Sequence, residues 1–559
     1  MKWRYPFVFV FLVLLFVLVA SRLFYWQIVK ADMLSEMAQS QYGGLVKIEP
    51  KRGEIETSDG FPIAANKVSY LLYLNPTLIK DKDQTVLILS SLLDMTKASV
   101  SAEILPDRLW VKIKSGISAS DKAEIEKLNL PGVGFEEHYT RFYPEASIAA
   151  QLLGFVGKNE EGQDSGSGGL EGFYDRLLRG KEGYSMEYSD ALGRPILSNS
   201  TEVTSGSDGS NLILGVDRSI QFLAEQKLKD GIEKYGATGG TIGIMDPQTG
   251  NILAMASSPT FSPQTYFDFD QSTYTNPFIT DTYEPGSTFK PIVMASAIDA
   301  GLITPQTKCN ICGGPVSVSG YELHTWNDQY YKDTNMIQVI QHSDNTGMVF
   351  VAQKLGVDRM ISYLTKFGIG QMTGIDLQGE ISPSLKPRNA WYDVDLATTG
   401  FGQGVSITPI ELLTAFSSLA NNGVMMQPRV VTAYENADGT RVEIPTKVIG
   451  NTVSEKTAKV MVEILVNAVE KGEAQWTKLP GYRIAGKTGT ASIPVKGHYD
   501  QTGTIASFIG FAPADNPKFV MLVILDKPTT SIYAADTAAP VFFDIAKNLL
   551  NYYGIPPSE

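Results

Sequence analysis

The sequence predicts an α+β protein: a single N-terminal transmembrane helix, an extended β-rich pedestal, then a mostly antiparallel five-stranded sheet flanked by helices. Three observations predict it. One apolar run near the N-terminus is long enough to cross a bilayer. Short strand and turn signals dominate from there to residue 205. Beyond it two strand signals come first, helical patterns fill the middle, and three strand signals come last, the order expected of one sheet with segregated helices. The parts so read are 1–30 (cytoplasmic stub and anchor), 31–205 (pedestal, dimerisation-like module) and 206–559 (catalytic domain).

Lys2 and Arg4 precede Phe7 to Ala20, a stretch with no polar side chain, and Leu23-Phe24-Tyr25-Trp26 resumes after Arg22 as an aromatic flank. From Tyr5 to Trp26 a helix rises about 33 Å, enough to span a bilayer if Arg22 snorkels to the interface. A cleaved signal peptide is the competing reading. Leu18 is bulky where cleavage after Ala20 needs a small residue, and no lipid-accepting Cys follows, so an uncleaved anchor is preferred. In either case the bulk of the chain is expected outside the cytoplasm. Hydrophobic residues make up 43% and charged residues 19%, which is globular composition. A net charge of −13 argues against nucleic acid as a partner.

Along the chain, Ala31 to Gln41 reads as a helical continuation of the anchor, and Ser58-Asp59-Gly60 as a hairpin turn between extended segments. Gln84 to Leu93 and Ser118 to Leu128 carry helical patterns, and the Gly- and Ser-rich stretch Glu160 to Gly169 reads as a mobile loop. Thr204 to Ser210 is a small-residue linker. Arg218 to Tyr235 is an amphipathic helix. Thr241 to Met245 and Asn251 to Ala256 are apolar strands joined by the turn Asp246-Pro247-Gln248-Thr249-Gly250. Arg483 to Ala491, Thr504 to Ala512 and Phe519 to Asp526 supply the other strands, and Ala538 to Tyr552 a closing helix.

The chemistry is carried by Glu284-Pro285-Gly286-Ser287-Thr288-Phe289-Lys290. An apolar helical run starts at Pro291, so Ser287 lies at a helix start, where free N–H groups favour negative charge. Lys290, three residues on, falls on the same face. A desolvated neutral lysine can take the proton of a serine nucleophile. Alone, one S-x-x-K is better explained by a solvated Ser and Lys on an ordinary helix. Here it is the only such match, and two partners follow in order: Ser343-Asp344-Asn345 and Lys487-Thr488-Gly489-Thr490. Alone, the second would be a polar turn or helix cap and the third a strand end. Together they form the signature of serine acyl-transfer enzymes that meet penicillin. Ser343 can shuttle a proton, Asn345 can bond a substrate amide, and Lys487 adds positive charge. Thr488 and Thr490, spaced by two on a strand, can hold a carboxylate, and Gly489 between them permits close backbone approach. The N–H groups of Ser287 and Thr490 are the expected oxyanion donors.

With these residues in view, the chain resembles the class B penicillin-binding proteins over essentially its whole length. Arg52-Gly53-x-Ile55 with Asp59-Gly60 and Ala64, Arg141-x-Tyr143-Pro144, and Gly169-x-Glu171-x-x-Tyr174-Asp175 are similar to the family's N-terminal motifs. Met245-Asp246-Pro247-x-Thr249-Gly250, Trp326-Asn327 and Gly402-Gln403-Gly404 are similar to landmarks of its catalytic domain. Thr57-Ser58 departs from it, where relatives often carry an acidic–basic pair; that bears on packing between the modules. The resemblance implies a peptidoglycan D,D-transpeptidase in which Ser287 attacks the penultimate D-alanine carbonyl of a stem peptide and an amine from a neighbouring stem resolves the acyl-enzyme. It implies Trp326 as part of the substrate groove, β-lactams as acyl traps, lipid-linked stem peptides as substrates, and no metal or cofactor. It also implies a polytopic glycan polymerase and a division or elongation complex as partners.

Cys309-Asn310-Ile311-Cys312 admits a local disulfide, a redox pair or half a zinc site, and outside the cytoplasm the disulfide leads. His324 and His342 are the nearest further ligand candidates, but the spacing fits no standard zinc pattern. These two, with His138 and His498, are read as structural. Competing functions are a D,D-carboxypeptidase, a class A β-lactamase, a β-lactam sensor and a catalytically idle division scaffold. A class A β-lactamase would need a glutamate-directed deacylating water, and no Glu-x-x-Leu-Asn lies between Asn345 and Lys487. A sensor would need a cytoplasmic domain, and a scaffold would be expected to lose Ser287 or Lys290.

Overall fold

The computed structural model describes residues 3–34, 37, 43–105, 108–188, 201–495 and 498–558. Arg4–Phe24 is an α-helix that runs on into a π-helical turn, Tyr25–Val29, with Arg22 in its last α-helical turn. None of it is buried, its most apolar stretch of 18 residues has a mean hydropathy of 2.8, and among the described residues it is the one helix long and apolar enough to cross a membrane. Residues 31–34 are helical too. The rest of the expected continuation to Gln41 lies largely outside the described residues.

The chain gathers into two compact units, Met1–Lys51 with Gly180–Gly209, and Arg52–Arg179 with Ser210–Glu559. The first contains the apolar helix and a small antiparallel sheet in which Gly183–Tyr188 pairs with Gly43–Ile48 and Thr201–Thr204. The second contains the remaining machinery.

In that second unit, the hairpin Gly239–Met245 and Ile252–Ser258 forms around the expected turn. It joins Phe519–Asp526, His498–Ala512 and Ala485–Val495 in a five-stranded sheet, and every neighbouring pair is antiparallel. The last two strands are longer than the sequence pattern suggested, pairing as far as Val495 opposite His498. Strand alternation sorts the side chains. Ile242, Phe508 and Val523 pack against Arg218–Tyr235 and Ala538–Tyr552 on one face. Ile509, Phe511 and Leu522 pack against Lys290–Asp299 and Pro409–Ala420 on the other. Asp217 caps the first of these helices through its side chain, and Gly236, in the left-handed region, ends it.

A second sheet of seven strands runs in the order Arg441–Glu443, Val431–Glu435, Asn211–Leu214, Ile55–Glu56, Pro62–Leu74, Val111–Ile117, with Val133–Phe142 also paired to Pro62–Leu74. Asn211–Leu214 is parallel to Ile55–Glu56 and antiparallel to Val431–Glu435. At the departure Thr57-Ser58, Thr57 is buried and bonds Asp59 and the Phe61 carbonyl, while the Ser58 N–H donates to Val216 O at 2.8 Å. The Gly- and Ser-rich stretch Glu160 to Gly169 is not a loose loop. Its second half, Asp164–Ser167, pairs with Phe155–Lys158. Small residues are needed there because a Cβ on Gly166 would lie 1.8 Å from Glu171 O.

The three N-terminal motifs meet at one buried carboxylate. Glu171 Oε1 accepts from Arg141 Nε at 2.6 Å and from the Tyr143 hydroxyl at 3.3 Å, while Oε2 accepts from Arg52 Nε at 2.8 Å. Arg52 also reaches Asp175, and Arg141 donates to Gly53 O. Burial alone would push the Glu171 carboxyl up; Arg141 and Arg52 outweigh it and hold it below the ordinary range.

Candidate active site

The apolar run Pro291 to Ala297 is buried, which fixes the helix Lys290–Asp299 in the core and pins its first residues against the sheet. Ser287 precedes that helix on a 3₁₀ turn, Gly286–Phe289. The Gly286 N–H donates to Gly402 O at 3.0 Å, which gives the Gly402-Gln403-Gly404 landmark its role as a brace behind the turn. In front lies the outer strand Ala485–Val495. A Cβ on Gly489 would come within 2.7 Å of the Thr288 side chain, so glycine allows the strand and the turn to touch.

Ser343 adopts a left-handed conformation, φ +54°. Asp344 follows as cap of the helix Asn345–Leu355, its Oδ1 accepting from the Thr346 and Gly347 N–H groups. The turn therefore is a helix cap, and the cap is what aims Ser343 and Asn345 inward. Lys290 is fully buried, and its Nζ lies 2.6 Å from Ser343 O, 3.2 Å from Ser343 Oγ and 2.8 Å from Asn345 Oδ1. Ser343 Oγ is 3.0 Å from Ser287 Oγ. Lys290 is thus linked to Ser287 through Ser343 rather than directly, a relay that the three-residue spacing did not reveal.

Burial, with the positive charge of Lys487 adding to it, lowers the Lys290 amine to about 7; Glu473 and Asp344 oppose the shift. Burial also lowers Lys487. Its Nζ donates to Thr488 Oγ1 at 2.9 Å. The two threonines differ from expectation. Thr488 already holds a carboxylate, that of Glu473, to which its hydroxyl donates at 2.7 Å. Thr490 Oγ1 accepts from the Ala534 N–H at 3.0 Å, which leaves its proton for a ligand. Trp326 is 45% exposed, donates from Nε1 to His342 O, and meets Tyr533 edge-on at 5.4 Å. Asn345 Nδ2 donates to His324 O at 3.0 Å. All nine residues singled out from sequence therefore belong to one cleft region between the outer strand, the nucleophile turn and the Ser343 turn.

Cys309 and Cys312 form a disulfide. His342 stacks on Tyr331 at 4.3 Å, and His324 contacts Asp328 and Tyr330. Glu473, Tyr533 and Ala534 were not found from sequence. Each lies in a loop whose position only the tertiary fold sets, and the acid just after a helix end reads like any exposed one.

Such a relay of Ser, Ser and buried Lys beside a Lys-Thr-Gly strand is acyl-transfer machinery. Residues 240–547 match the profile of the penicillin binding protein transpeptidase domain. The chain belongs to the penicillin-binding protein transpeptidase family. Residues 47–214 also match a penicillin-binding protein dimerisation domain. Among relatives in the family, stage V sporulation protein D of Bacillus subtilis is 34% identical over 563 residues, spanning all of this chain and 86% of that one. The peptidoglycan D,D-transpeptidase FtsI of Escherichia coli K12 is 27% identical, spanning all of this chain and 93% of its own. The peptidoglycan synthetase of Bifidobacterium adolescentis superposes with a TM-score of 0.75 at 26% identity, covering 92% of this chain and 98% of that one. Penicillin binding protein 3 of Mycobacterium tuberculosis, solved in complex with aztreonam, gives 0.71 at 26% identity, covering 92% and 98%.

Proposed function

We propose that this penicillin-binding protein is a peptidoglycan D,D-transpeptidase that works through a Ser287 acyl-enzyme. The observation that carries the proposal is the hydrogen-bonded path Ser287–Ser343–Lys290, which ends on a buried amine able to be neutral near pH 7. Ser287 Oγ attacks the carbonyl of the penultimate D-alanine, and its proton passes through Ser343 to Lys290. The C–N bond to the terminal D-alanine breaks, and the proton returns by the same path to the leaving amine. The N–H groups of Ser287 and Thr490 receive the oxyanion, Asn345 and Trp326 hold the peptide, and Lys487 with Thr490 faces the donor carboxylate along Gly489, while the Thr488 hydroxyl stays on Glu473. The amine of a second stem then attacks the ester, forms the cross-link and returns the proton to Ser287.

The helix at Arg4–Val29 supports a single-pass anchor. In this reading the catalytic part lies outside the cytoplasmic membrane, and the domains are 1–30, 31–205 and 206–559. Lipid-linked stem peptides are the substrates and β-lactams the acyl traps. A polytopic glycan polymerase and a division or elongation complex are the expected partners.

Given uncross-linked glycan strands with pentapeptide stems, the full chain is expected to release D-alanine and form peptide dimers, both read by chromatography of muramidase digests. Release of D-alanine with tetrapeptide monomers alone would assign it instead as a carboxypeptidase. The rate of covalent labelling by a fluorescent penicillin should rise with pH through about 7, because Lys290 accepts a proton only once it is neutral. A rate flat between about pH 5.5 and 8 would remove Lys290 as the base.

A further inference from the structure

The two buried amines of the site, Lys290 and Lys487, need different protonation states: one must take a proton and the other must supply positive charge. Nothing in their burial distinguishes them, since both are at most 3% exposed. What distinguishes them is the company each keeps. Lys290 is surrounded by neutral oxygens, those of Ser343 and Asn345. Asp344 is nearby, its Oδ1 capping the next helix and its Oδ2 buried without a hydrogen-bond partner, but it makes no hydrogen bond to the amine. Lys487 has a carboxylate. Its Nζ donates to Thr488 Oγ1, that hydroxyl donates to Glu473 Oε2, and the ammonium and the carboxylate are themselves 4.0 Å apart.

We infer that Glu473 is a positioning residue for the acyl-transfer site: its carboxylate anchors the Lys487 ammonium through Thr488 and so leaves the free amine to Lys290. The inference rests on the transpeptidase reading and adds to it a fourth polar element. The local fold is built to deliver that carboxylate. The helix Glu455–Lys471 ends at Gly472, where a Cβ would lie 2.2 Å from Ala468 O and 2.9 Å from Gln341 O. Only glycine lets the chain leave the helix so close to the Ser343 turn, and the next side chain, Glu473, then points at the start of the Lys487 strand. Its side chain is 21% exposed, whereas that of Lys487 is 3% exposed.

The electrostatic surroundings agree. Burial lowers Lys487 and Glu473 is the charge that opposes it, whereas Lys290 is lowered by burial and by Lys487, against Glu473 and Asp344. Those four groups, from the outer strand, the nucleophile helix, the Ser343 turn and the loop at Glu473, are the charges that face the two amines. Without the carboxylate a buried ammonium at Lys487 has no counter-charge among the described residues, and it gives up its proton at lower pH. Glu473 also occupies the Thr488 hydroxyl, so the donor carboxylate is left mainly to Thr490 and to Lys487 itself.

The test is the pH profile of fluorescent-penicillin labelling in the full chain, compared with Glu473→Gln and Glu473→Asp. The unmodified chain should gain rate as Lys290 loses its proton and lose rate where Lys487 loses its own. In Glu473→Gln the alkaline limb is expected to move down by about one pH unit or more. In Glu473→Asp, which keeps the charge but shortens the reach, the limb should move in the same direction by less. If the Gln variant does not fold, the Asp variant carries the test alone. A residue with a merely structural role would lower the rate equally at every pH, and an unmoved limb in the variants that fold overturns the inference while leaving the acyl-enzyme intact. An unmodified chain that takes no label would overturn the transpeptidase reading, and the inference with it.

Discussion

Ser287→Ala is expected to abolish covalent capture of penicillin altogether, with no labelled band at any time or dose. The argument is chemical. An alanine has no atom that can form the ester, and the neighbouring Ser343 hydroxyl, 3.0 Å from Ser287 Oγ, sits in the relay position where it accepts from Lys290 Nζ, not on the turn before the helix. Lys290→Ala should behave differently. The hydroxyl remains but its proton has nowhere to go, so the labelling rate should fall by about 10²–10⁴-fold, the usual contribution of a general base. Intact-mass spectrometry after exposure to penicillin separates the two: no adduct for the first, a slowly accumulating adduct for the second. An adduct on Ser287→Ala would show that another side chain is the nucleophile.

Glu171→Ala should be the most damaging change away from the catalytic cleft. It removes the carboxylate shared by Arg52 and Arg141, whose side chains are only 10% and 5% exposed. Two buried guanidinium groups would then face each other with Asp175 as the remaining acid near Arg52. Breaking a buried pair by removing one partner costs about 3–5 kcal/mol, against about 5–15 kcal/mol for a typical domain. Thermal unfolding of the detergent-solubilised chain should show a melting point lower by several degrees, and an unchanged one would mean that the arginines find other partners. The pH dependence has a definite sign. Because Glu171 is held below its ordinary range, its contribution is complete above about pH 4.3, the unfolded value. It is lost as pH falls through the lowered native value.

Much of this site was legible in the sequence because its signals are local. Ser287 and Lys290 are three residues apart, Ser343 and Asn345 two, and Lys487 to Thr490 are contiguous on one strand, so each group arrives with its geometry half made. The helix Arg218–Tyr235 was readable from its apolar period and its Asp and Gly ends. What escaped depends on distant pieces of chain. Glu473 matters only because Gly472 turns it toward a strand that begins a dozen residues later, and Ala534 only because its loop folds over Thr490. The Asp164–Ser167 strand escaped because its glycines and serines, which usually mark loose chain, here serve close packing against Glu171. The two-residue strand Ile55–Glu56 is too short to carry any period.

That short strand decides where this protein can be cut. Asn211–Leu214 has Val431–Glu435 on one side and Ile55–Glu56 on the other. A fragment beginning at residue 206 keeps the whole acyl-transfer cleft but loses Ile55–Glu56 and Pro62–Leu74, so a central strand becomes a bare edge. Its unpaired N–H and C=O groups would then be a template for another chain. Such a fragment should self-associate through that edge, whereas one beginning before Arg52 keeps the ladder closed.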